Sequence, residues 1–69
     1  MAFLTKLEIF EQFVARYFDQ GDDYPLKETN RDIAKRLIDS GFKTTDIEIV
    51  DTYGDEAILY RMEEVIYGV

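Results

Sequence analysis

Sixty-nine residues without a cysteine or a histidine give room for one domain, residues 1–69. They exclude disulfide staples, thiolate chemistry, cysteine- or histidine-ligated metals and the commonest general base. Hydrophobic residues make up 46 % of the chain, with five Phe and five Tyr among them, so the core must hold by bulky apolar packing alone. The net charge of −7 is unevenly placed: residues 1–43 carry eight acids and seven bases, residues 44–69 seven acids and one base. Such a C-terminal third opposes phosphate polymers and suits basic partners, or simply keeps the domain soluble.

The first helix has a legible start. Thr5 and Glu8 have capping-box spacing, and Leu4 with Ile9 has that of a hydrophobic staple. Leu7, Ile9, Phe10, Phe13, Val14, Tyr17 and Phe18 then share about half of the helical circumference. Gly21 and Pro25, with Asp22 and Asp23 between them, break the pattern into a polar loop. A second helix begins at Thr29 or Asn30, faces Ile33, Ala34, Leu37 and Ile38 inward, and ends at Ser40-Gly41. There a left-handed glycine would let Phe42 fold back.

Thr45 to Glu48 is box-like again and opens a short third segment that runs to Gly54. Ile47, Ile49 and Val50 are β-branched, so residues 46–62 also admit a hairpin turning at Gly54-Asp55. The last segment favours helix: from Glu56 onward, Ile58, Leu59, Met62, Val65, Ile66 and Val69 fall within an arc of about 120°. As a strand it would put Ala57, Leu59 and Arg61 on one side, mixing the faces. The expected fold is therefore all-α, a compact four-helix bundle. The alternative is α+β, two N-terminal helices followed by a C-terminal β-hairpin.

The second and third helices invite a helix-turn-helix reading, which two features oppose. With Ala34 as the small residue of the motif, the turn glycine belongs at Ile38, and it stands at Gly41. The would-be reading helix also carries Asp46, Glu48 and Asp51 where phosphates would approach. Lys27, Arg31, Lys35 and Arg36 form the basic cluster, read as a solvated face with Asp32 four before Arg36 and Asp39 four before Lys43. The acidic groups Asp19, Asp22, Asp23 and Asp51, Asp55, Glu56 lack the alternating ligands and distant Glu of a calcium loop. Loop solvation and helix N-terminal charge account for them. No catalytic, cofactor-binding or metal-ligating set emerges, and no enzyme activity or cofactor is expected.

What remains is surface. Tyr60 and Tyr67 lie seven apart on the last helix, outside its apolar stripe, among Glu56, Glu63 and Glu64. With Asp46, Glu48 and Asp51 they make an acidic, tyrosine-bearing candidate interaction face, since tyrosine anchors interfaces at low entropic cost. The competing role for either ring is packing on a neighbouring helix. The expected function is a protein-interaction module, self-association included, whose partner is another protein with a basic surface. The alternative is a phage- or mobile-element-type inhibitor that mimics nucleic acid against a nucleic-acid-binding protein. Direct DNA binding fits least well. No stretch approaches the roughly 18 apolar residues of a membrane span or shows a signal-peptide pattern, so a cytoplasmic location is expected.

The segments FEQFVARY, DDYPL, NRDIAKRL, FKTTDIEIVDTY and MEEVIY together resemble the YozE-type sterile-alpha-motif-like family of small bacterial proteins, over about residues 10–67. The chain differs from the family pattern at Lys43, where the family usually has Pro. It differs also at Tyr53-Gly54, where the family has Tyr-Leu, and at Val65-Ile66, where it has a late Trp. The resemblance implies a compact helical fold and supplies no catalytic residues.

Overall fold

The computed structural model describes residues 3–18 and 29–68. The polar loop with Gly21 and Pro25, the acids Asp19, Asp22 and Asp23, Lys27 and Val69 lie outside the described residues. Four helices are present: α1 Lys6–Tyr17, α2 Asn30–Asp39, α3 Thr44–Tyr53 and α4 Glu56–Tyr67. No strand occurs among the described residues. Residues 46–62 are thus helical on both sides of Gly54-Asp55, and the hairpin alternative is corrected. The physical reason is the helical spacing of Ile58, Leu59, Met62, Val65 and Ile66, all packed in or against the core, which an extended backbone would divide between its two faces.

Each helix start satisfies free N–H groups with nearby side chains. At α1, Thr5 Oγ1 accepts from Glu8 N (3.1 Å) while Glu8 Oε1 accepts from Thr5 N (3.2 Å), the box expected there. At α2 the Thr29 hydroxyl and Asp32 carboxylate do the same (both 3.2 Å). At α3 the Thr45–Glu48 box does not form, because the helix begins earlier. Lys43 is the N-cap and cannot accept with its ammonium; Asp46 Oδ2 instead takes the Lys43 N–H at 2.9 Å. Asp55 starts α4 by accepting from Ala57 N (2.9 Å) and Ile58 N (3.3 Å).

The α2 exit behaves as expected. Gly41 takes φ +100°, its N–H reaches Ile38 O at 3.0 Å, and Phe42 N reaches Leu37 O at 3.3 Å. This is the paired 6→1 and 5→2 bonding of a Schellman end, and it drops the Phe42 ring into the core, where it is buried.

The helices form a ring in which α1 packs on α2 and α3, and α4 packs on α2 and α3. Inside lie Phe10, Phe13, Val14 and Phe18 from the first helix and its cap, Ile33, Ala34 and Leu37, Ile47 and Val50, and Ile58, Met62 and Ile66. The radius of gyration of 11.5 Å is close to the roughly 11 Å expected of a packed chain of this length. No polar or charged side chain is buried among the described residues. No helix among them is long and apolar enough to cross a membrane.

One consequence of the ring is that α2 and α3 occupy opposite corners and do not pack on each other. A helix-turn-helix needs those two helices in close contact. The late glycine fits this: the chain turns only after Ser40, with Gly41 at φ +100°.

Candidate functional site

The face proposed from the sequence is carried by α3 and α4, so its geometry follows from which side of each helix is buried. In α4, Ile58, Met62 and Ile66 point inward, leaving Glu56, Tyr60, Arg61 and Glu64 exposed and Glu63 half-buried. Tyr60 is 60 % exposed. Tyr67, expected beside it, is half-buried and packs against the core. The last turn of α4 lies against α2, whose Arg36 reaches its carbonyls, and the ring there covers apolar surface. The two tyrosines therefore do not form one exposed pair.

In α3 the inward residues are Ile47 and Val50. Asp51 lies on the flank toward α1, where its carboxylate is held from two sides. Arg16 Nη2 donates to Oδ2 at 2.9 Å, and the Tyr17 hydroxyl donates to Oδ1 at 2.8 Å. That hydrogen bond, with partial burial and the nearby Asp51 charge, raises the Tyr17 phenol above its ordinary 10.0. Asp51 is thus a tie between helices, and it is removed from the free acidic face. Asp46 is half-buried and spent on the α3 cap. Glu48 is exposed and in no salt bridge.

The basic cluster is likewise redistributed. Asp32 faces Thr29 rather than Arg36. The Thr29 backbone N–H, then its hydroxyl, and then the charges of Lys35 and Arg31 lower the Asp32 carboxyl below its ordinary 3.8. Arg36 crosses to α4, where its guanidinium donates to Ile66 O at 3.2 Å and Val65 O at 3.4 Å. These carbonyls end a helix with no basic residue in its last turn, so α2 supplies the cation that α4 lacks. The pairing expected between Asp32 and Arg36 is replaced by two contacts that sequence spacing within one helix cannot reveal. Lys43 and Asp39 do not pair either, because Lys43 has left α2 and opens α3.

Arg61, the one base of residues 44–69, lies over the Phe42 ring at 5.6 Å from its centroid. Among the described residues the only salt bridge is Arg16–Asp51, so Glu48, Glu56, Glu63 and Glu64 carry uncompensated charge. The same two helices expose two apolar groups that the sequence does not single out as surface: Ile49, 37 % exposed, and Tyr53, 80 % exposed. Their i, i+4 spacing was legible and puts them on one side of a helix or a strand alike; that this side stays uncovered is a matter of packing.

Comparison with family models, with curated proteins and with solved structures finds no match to this chain.

Proposed function

We propose that this chain is a non-catalytic protein-interaction module that binds its partner through the acidic, tyrosine-bearing face of α3 and α4. The observation that carries the reading is the exposed Tyr60 ring flanked by Glu56 and Glu64, which no cation of the described chain neutralises. An aromatic ring presented on a rigid helix docks at little entropic cost. A chain without cysteine or histidine offers neither a nucleophilic thiol nor an imidazole base, which supports binding over catalysis. It also suits a cytoplasmic location, where disulfides are rare. The four-helix fold is compatible with membership of the YozE-type family, which rests on the sequence segments that suggested it.

Imitation of nucleic acid rests on the same carboxylates. Two features weigh against it: Asp51 is neutralised by Arg16, and Ile49, Tyr53 and Tyr60 interrupt the run of acids with apolar surface. The test is capture from lysate of the source cells with the immobilised full chain, wild type and Tyr60→Ala/Glu64→Lys. A partner held by the wild type and lost by the variant, at equal melting temperature, is expected. Binding that persists in moderate salt and does not compete with DNA separates this reading from mimicry. Equal capture by both proteins overturns the face.

A further inference from the structure

We infer that the anchor of this face is the Ile49–Tyr53 edge of α3, and that its occupant is a cationic amphipathic helix of another protein. The inference rests on the interaction reading above and names the partner's chemistry. Three observations carry it.

First, Ile49 and Tyr53 are four residues apart on a ten-residue helix, so their side chains lie about 40° apart and form a ridge along α3. A ridge of that spacing packs into the groove of a second helix. Both side chains are exposed, and neither belongs to the core among the described residues.

Second, the edge lies a short way from Tyr60 along the chain. Asp51 marks the flank of α3 turned toward α1; Ile49 and Tyr53 lie on the other flank, and the other neighbour of α3 is α4. From Tyr53 the chain reaches Glu56 in three residues, at most about 11 Å, and Tyr60 lies one turn further, about 6 Å. The two rings therefore fit within one interface of ordinary size, about 800 Å² on each partner.

Third, charge selects the occupant. Residues 44–69 carry seven acids and one base; Glu56 and Glu64, exposed on α4, have no cation in any salt bridge of the described residues, and Arg61 is drawn over Phe42. A second copy docking through the same edge would set these carboxylates against their equivalents, which is repulsive. A helix with an apolar stripe bordered by Lys or Arg meets both the ridge and the acids.

The test uses the full isotope-labelled chain in about 0.15 M salt. It is titrated with a Leu/Lys peptide patterned as an amphipathic helix, and separately with the Leu/Glu peptide of identical pattern. Binding of the Leu/Lys peptide alone is expected, with amide shifts at Ile49, Tyr53 and Tyr60. Ile49→Ser/Tyr53→Ser, which leaves the net charge unchanged, should weaken it about ten-fold or more at unchanged helicity. Tyr53→Ser, at the more exposed position, serves if the double variant loses its fold. Equal binding of the Leu/Glu peptide, undiminished affinity in the serine variants, or a dimer in sedimentation that those variants dissociate, each overturns the proposal. Shifts confined to Tyr60 and Glu64 overturn the α3 anchor and leave the acidic-face reading standing. Shifts at neither place overturn both.

Discussion

Arg36 illustrates how one side chain can be assigned the wrong partner from spacing alone. Its guanidinium meets the carbonyls of Val65 and Ile66, part-buried charged hydrogen bonds at the negative end of a helix dipole. Arg36→Ala should cost about 1.5–3 kcal/mol in urea unfolding, and Arg36→Lys should recover only part, since an ammonium cannot span two carbonyls with a planar fork. A loss below about 0.5 kcal/mol would mean the carbonyls are served equally well by water.

Tyr17 makes a pH prediction at the same scale. Its phenol is raised above 10.0 by the bond to Asp51, so the folded chain holds that proton more tightly than the unfolded one. The contribution is fully present below pH 10 and is lost as pH rises through the folded value. Tyr17→Phe should be less stable than wild type at neutral pH, and the difference should narrow as pH climbs above 10; parallel stability curves would contradict this. Asp32 works in the opposite direction. Its carboxyl is lowered below 3.8 by Thr29, so its contribution stands above that value and fades as pH falls through the folded one. Asp32→Asn should therefore remove part of the acid sensitivity of helicity, read by circular dichroism between pH 5 and 2 (roughly, the range over which paired carboxylates titrate).

At the scale of the element, the ends of the helices were more legible than their partners. The boxes at Thr5 and Thr29 and the turn at Gly41 involve residues three to five apart, so local chemistry decides them. Gly41 is held at φ +100° with nothing within 4 Å of where a Cβ would stand. Gly41→Ala should cost about 1–2 kcal/mol through backbone strain alone, and calorimetry should show it as a lowered melting temperature. The start of α3 was less legible because two threonines, Thr44 and Thr45, and two acids, Asp46 and Glu48, offer overlapping caps. The helix starts after Lys43, whose N–H is taken by Asp46, and Ile47 and Val50 turn inward from it.

For the molecule as a whole, stability rests on a core of thirteen buried hydrophobic side chains with no polar group among them in the described residues. Phe13 touches Tyr17 and Phe18 at centroid distances of 4.7 and 6.1 Å and is fully buried. Phe13→Ala should cost about 3–5 kcal/mol, a large share of what so short a chain holds, and its amide spectrum should lose dispersion at 25 °C (about the reference temperature of these energies). Ile49→Ser and Tyr53→Ser should change stability little, because neither side chain belongs to the core.

The residues alone point to helix in α1, α2 and α4, to the starts of those three, to the end of α2 and to the apolar stripes they turn inward. These are matters of 3.6-residue periodicity and of caps that lie within one turn, and Ile58, Leu59, Met62, Val65 and Ile66 would be divided between two faces of a strand. Only the tertiary structure decided which surfaces stay open. It ties Asp51 to Arg16 and Tyr17 across 34 and 35 positions of chain, sends Arg36 to α4, folds Tyr67 onto the core and leaves Ile49 with Tyr53 in water. A side chain's fate at the surface depends on which neighbour the packing brings within reach, and that neighbour is set by the ring of helices, not by the residues beside it in the chain.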